Sequence, residues 1–156
     1  MQQFVTFRLN ELYYGIDILY VREINNAFDV TPVQHAPNYI RGLINLRGQV
    51  ITIMDAGLRL GIDDRDTSEC SHNIILKTDH ELAPIRAAES RPELKSSVDP
   101  AGLLIDEFGD VVEVSDEEIE PAPANIDEGE ADYLSGVFKS EGKLFSILNI
   151  SKVVAA

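Results

Sequence analysis

Short apolar runs, each cut off by a turn signal, recur along the whole chain, and this rhythm constrains the fold more than any other feature. Val5, Phe7 and Leu9 alternate with Thr6 and Arg8, the polar Asn10-Glu11 interrupts, and Leu12–Ile16 resumes, the pattern of a hairpin. Ile40–Leu46 and Val50–Met54 flank Arg47-Gly48 and should pair across a tight turn. Asn73–Lys77 reads as a strand, and Leu134–Phe138 and Leu144–Ile150 bracket the glycine-containing loop 139–143. Leu103–Phe108 and Val111–Val114 flank Gly109-Asp110, which suits a type II′ hairpin. Helical signals are brief. Ile18–Ile24 has the spacing of a single helical turn, Ser115 with Glu118 forms a capping box that Pro121 limits, and Ala87–Glu89 is a short candidate inside Thr78–Pro100, otherwise an exposed excursion. About ten short strands without βαβ spacing predict an all-β barrel architecture.

The 156 residues, 44% of them hydrophobic, suffice for one compact unit. No apolar run approaches the roughly 20 residues of a membrane helix, and MQQFVTFRL lacks the basic start and apolar core of a signal peptide, so a cytoplasmic location is expected. Cys70, the single cysteine, leaves no intramolecular disulfide. The net charge of −14 is unevenly spread: residues 99–132 hold 13 acids and no base. Such a surface is repelled by phosphate backbones and anionic lipid, which argues against nucleic acid and direct membrane insertion.

Motifs of chemistry are missing. The chain has no Gly-x-Ser-x-Gly, phosphate-binding loop, dinucleotide fingerprint or His-Glu-x-x-His. His35, Cys70, His72 and His80 give no recognised zinc spacing. Neighbouring carboxylates such as Asp106-Glu107 would face opposite sides of a strand, and Asp116-Glu117-Glu118 reads as solvated charge at a turn. The expectation is a protein without catalysis, cofactor or metal.

The segment Tyr39-Ile-Arg-Gly-Leu-Ile-Asn-Leu-Arg-Gly-Gln-Val-Ile-Thr-Ile-Met-Asp55, followed by Gly57-Leu-Arg-Leu-Gly61, resembles the signature of the CheW family of chemotaxis coupling proteins. Tyr14-Gly15-Ile16-Asp17-Ile18 with Val21-Arg22-Glu23-Ile24, Gly102–Asp106, Ile119–Pro121 with Pro123, Tyr133–Gly136 and Leu148–Lys152 follow in the family's order, and only Thr78–Pro100 lacks a counterpart.

The resemblance implies one domain over 1–156 made of two small five-stranded SH3-like β-barrels on a shared hydrophobic core, with short helical turns. Residues 10–78 or so would form the first barrel, 99–150 with the N-terminal strand the second, and 78–100 an exposed loop. It also implies a non-catalytic adaptor recruited to receptor arrays at the membrane, where it binds the cytoplasmic signalling tip of chemoreceptors and the regulatory domain of the histidine kinase CheA. Matching positions assign Arg47, Glu23, Val21 and Gly42 to the receptor-binding surface; the kinase-binding residues are not identifiable. Asn149 stands where many members have aspartate, a change that keeps an acceptor. Two alternatives remain open: a related array controlling pili or gliding, and a small acidic hydrolase or binding domain using the carboxylates of Asp106–Glu120.

Overall fold

A computed structural model describes residues 1–26, 30–62, 72–122 and 132–155. Its strands are β1 (Gln2–Leu9), β2 (Leu12–Asp17), β3 (Val21–Asn26), β4 (Ile40–Leu46), β5 (Gln49–Asp55), β6 (His72–Leu76), β7 (Ala101–Ile105), β8 (Glu107–Val114), β9 (Leu134–Ser140) and β10 (Lys143–Leu148). Its helices are α1 (Ala56–Arg59), α2 (Asp79–Ala88) and α3 (Ile150–Val153). The strands form two five-stranded sheets, ordered β8-β1-β2-β10-β9 and β3-β6-β7-β5-β4.

The two sheets repeat one plan. Read along each order, the pairings are antiparallel, antiparallel, parallel and antiparallel. Each sheet curls until its edges approach: Thr31, beyond edge strand β3, bridges Leu43 on β4, and Glu120, beyond edge strand β8, bridges Val137 on β9. Such closure removes open sheet edges. The duplication reaches the sequence, since Tyr39, Gly42, Gly48 and Ile53 recur as Tyr133, Gly136, Gly142 and Ile147, each pair 94 residues apart.

Side chains alternate between two kinds of interior. Phe4, Phe138, Phe145 and Ile147 fill the first sheet's hollow, with stacked ring centroids 5.3 Å (Phe4–Phe138) and 5.1 Å (Phe138–Phe145) apart. Ile44, Ile51, Ile53 and Ile75 fill the second. Between the sheets lies the shared core, where Phe7, Tyr14 and Ile16 meet Ile74, Leu76 and Leu103. Strand β6 shows the switch residue by residue, with Ile74 and Leu76 in the shared core and Ile75 inside its own sheet. Strand β7 is buried at every position because both of its faces are covered.

Four sequence expectations need correction. The boundary between the halves does not follow chain order: β2 belongs with the N-terminal strand, and β7 joins the sheet of β4 and β5. Gly109-Asp110 is no hairpin. It lies inside β8, at a bulge opposite Thr6, whose hydroxyl donates to the Asp110 carbonyl at 2.5 Å. The single helical turn expected over 18–24 is confined to Ile18–Tyr20, a 3₁₀ turn, and Val21–Ile24 belong to β3 instead.

Thr78–Pro100 is more than a loop. Thr78 caps α2, its hydroxyl accepting from the Glu81 N–H at 3.3 Å while the Glu81 carboxylate accepts from the Thr78 N–H at 3.1 Å. Leu82 and Leu94 are fully buried in the shared core. Arg91 donates to Asp17 at 2.7 Å, and Asp17 is only 5% exposed, so this ion pair pins the excursion to the end of β2. The capping box at Ser115 and Glu118 is formed, around a single 3₁₀ turn at Asp116–Glu118.

Candidate functional site

The β4–β5 hairpin turns on Arg47 and Gly48, both in the left-handed region at φ 52° and 85°. That pair of conformations matches the twist of the flanking strands. Gly48 adopts it without steric cost, and the Asn45 side chain accepts the Gly48 N–H at 2.9 Å, so the Asn-Leu-Arg-Gly string builds its own turn. Arg47 is lifted to the tip, its side chain 66% exposed.

The guanidinium is not left to wander. Arg47 Nη2 donates to Glu23 Oε1 on β3, a carboxylate 25% exposed. Beside this pair, Arg22 donates to the Gln49 amide oxygen at 2.5 Å and lies 3.9 Å from the Glu81 carboxylate of α2. Since β3 and β4 are the two edges of their sheet, these contacts lace the mouth of the closed hollow shut. What results is a charged, hydrogen-bonded rim with one arginine fork facing outward.

Val21 begins β3, pairs with Leu76 and is half-buried against the shared core. Gly42 is different in kind. It is buried at φ 143°, and a Cβ built there would sit 2.1 Å from the Thr31 carbonyl oxygen. The close approach at Gly42 is to its own chain, where it lets the Thr31–Leu43 bridge form. The structure therefore brings Arg47 and Glu23 into contact, sets Val21 at the start of the same edge strand, and places Gly42 as a support for β4.

Sequence reasoning missed Arg22, Gln49 and Glu81 on this rim, although the Thr-x-x-Glu capping box at Thr78 was there to be read. It also missed a clamp between the halves. Arg59 lies over the rings of Tyr39 (4.5 Å) and Tyr133 (5.0 Å), the equivalent tyrosines of the repeat. Its guanidinium donates to the Val153 carbonyl at 2.8 Å and to the Ala155 carbonyl, at the C-terminal end of α3. The 94-residue recurrence of Tyr39 and Tyr133 was the available signal. Their carbonyls take the N–H groups of Asp55 and Asn149, each at 2.7 Å, so the substitution of asparagine for aspartate leaves that backbone link intact.

Among the described residues, no group of three or more His, Cys, Asp or Glu is arranged to hold a metal ion. His72 lies 3.1 Å from the Asn26 amide oxygen and edge-on to Phe108; Cys70 and Pro123 fall outside the described residues. The carboxylates of 106–120 are engaged in structural bonds at several points: Asp106 accepts the Asn10 N–H, Glu107 pairs with Arg8 at 2.8 Å, and Glu118 accepts from Ser115. These hydrogen bonds from Ser115 hold the Glu118 carboxyl below its usual range.

The profile of the CheW-like domain matches residues 3–156. The chemotaxis protein CheW of Rhizobium meliloti (strain 1021) is 32% identical over 97% of this chain and 86% of its own length. The chemotaxis protein CheW of Treponema pallidum (strain Nichols) is 30% identical over 99% of this chain and 82% of its own. The crystal structure of the scaffolding protein TtCheW from Thermoanaerobacter tengcongensis superposes with a TM-score of 0.79 at 28% identity, covering 99% of this chain and 93% of that one. With the duplicated sheets, the Asn-Leu-Arg-Gly turn and these matches in agreement, the chain belongs to the CheW-like family of chemotaxis adaptor proteins.

Proposed function

We propose that this chain couples the cytoplasmic signalling tip of chemoreceptors to the regulatory domain of the histidine kinase CheA, works in the cytoplasm at receptor arrays, and catalyses nothing itself. The observation that carries the reading is Arg47, presented at a rigid hairpin tip and oriented by Glu23. A fixed fork of this kind meets carboxylates or the C-terminal carbonyls of helices with little further ordering, which is the economy a docking surface needs. Glu23 orients the fork, Val21 supplies the apolar margin beside it, and Gly42 keeps β4 closed beneath it.

The kinase side is a separate surface and is left unassigned. Among the described residues no helix is long and apolar enough to cross a membrane, so a reading in which receptors supply the membrane attachment fits. The test is co-sedimentation of receptor signalling domain and CheA with and without this chain. Kinase should enter the pellet only when the chain is present; kinase recruited equally in its absence would end the adaptor reading.

A further inference from the structure

The repeat permits a comparison inside one molecule. In the second sheet, the bulge between Val21 and Glu23 on β3 lies opposite Ile75, and its mouth is shut by Arg47–Glu23 and Arg22–Gln49. In the first sheet, the matching bulge on β8 carries Gly109 and Asp110 where β3 has Arg22 and Glu23. The matching turn carries Glu141 and Lys143 where the β4–β5 hairpin has Arg47 and Gln49. The acid of β3 is kept, both guanidiniums are gone, and a second acid stands in place of Arg47.

The mouth is correspondingly open. A cavity of about 260 Å³ lies between Gly109, Asp110, Glu141 and Lys143, with Tyr13 and Phe145 in its wall. The cations nearby are already placed: Arg8 pairs with Glu107 at 2.8 Å, and the Lys143 ammonium lies 4.7 Å from the Tyr13 ring centre. Among the described residues neither Asp110 nor Glu141 has an ion-pair partner.

We propose that this mouth of the first sheet is a docking site for an arginine side chain on a loop of a partner protein, its guanidinium entering between Asp110 and Glu141. The chain itself displays the chemistry: where a guanidinium is present, in the second sheet, it meets the bulge carboxylate and closes the hollow. An arginine fits better than a lysine because a planar, weakly hydrated fork can pair with two carboxylates at once. The site is separate from the Arg47 rim and does not depend on how receptors bind.

Titration of the ¹⁵N-labelled full chain with N-acetyl-arginine amide, and in parallel with N-acetyl-lysine amide, tests the assignment. Saturable shifts are expected at the Gly109, Asp110 and Gly142 amides, with lysine about tenfold weaker. The response should vanish in the Asp110→Asn/Glu141→Gln variant, which retains side-chain size. No shift at these amides, equal response to both probes, or a response unchanged in the variant would overturn it. Self-association lost on Arg47→Ala would hand the mouth to a second copy of this chain and overturn the assignment to a different partner.

Discussion

Arg47 and Glu23 are 24 residues apart in sequence and belong to opposite ends of the second sheet's strand order, yet they form an ion pair across its mouth. The pair orients a side chain that remains two-thirds exposed. Exposed pairs of this kind contribute about 0–1 kcal/mol to folding. Glu23→Gln should therefore shift the unfolding midpoint little while weakening receptor binding, because the fork loses its direction. Chemical denaturation beside a receptor pull-down checks this; a large loss of stability would recast Glu23 as a folding residue.

Gly42 should be intolerant of any side chain. Its φ of 143° and the 2.1 Å approach of a built Cβ to the Thr31 carbonyl oxygen require backbone movement in Gly42→Ala. A cost above about 2 kcal/mol is expected. Gly136 is its counterpart in the repeat, with the Glu120 carbonyl oxygen at 2.9 Å, and Gly136→Ala should cost less. Equal denaturation midpoints for the wild type and Gly42→Ala would refute the close-approach account.

Arg59 holds the two halves of the repeat together through Tyr39, Tyr133 and the carbonyls ending α3. Arg59→Ala should destabilise by about 2 kcal/mol, and Arg59→Lys should recover only part of it, since an ammonium cannot stack in the same way. Hydrogen exchange should rise first in α3. Exchange unaltered there would mean that the clamp is ornamental.

Acid should loosen α2 before the sheets. The Arg86 hydrogen bond holds the Asp79 carboxyl below its ordinary value of 3.8, and the Arg91 hydrogen bond holds Glu93 below 4.5. A carboxyl depressed in the folded state contributes stability that is present above its unfolded value and lost as pH falls through its folded value. Both groups are well exposed, so the effect is modest and salt-sensitive. Hydrogen exchange below about pH 4 should show the amides of residues 79–97 losing protection ahead of β6 and β7. Simultaneous loss everywhere would contradict this.

The strand rhythm made most of the fold legible, because Ile40–Leu46 alternates between more and less buried positions and the segments 40–55 and 134–148 carry their turn residues with them. What defeated local reading was decided at long range. Gly109-Asp110 has the composition of a hairpin turn, but pairing of Glu107–Val114 along β1 makes it a bulge. Pro84 is locally unfavourable inside a helix, yet it lies within α2, where the capping box at Thr78 and the burial of Leu82 outweigh the hydrogen bond that proline removes. The hairpin of β1 with β2 was legible, but the parallel pairings of β2 with β10 and of β7 with β5 had no local signature. At the candidate site, the turn that exposes Arg47 was visible in Asn45–Gly48. Its union with Glu23 was not, since it depends on the sheet closing on itself.

The central claim is that the Arg47 fork is the receptor-facing contact, and a charge-reversed variant tests it most directly. Arg47→Glu, shown to be folded by its circular dichroism and melting temperature, should lose receptor signalling domain in a pull-down while still binding CheA. The milder Arg47→Ala should lose about 1–2 kcal/mol of receptor affinity. A folded Arg47→Glu protein that retains receptor at the wild-type level would contradict the account.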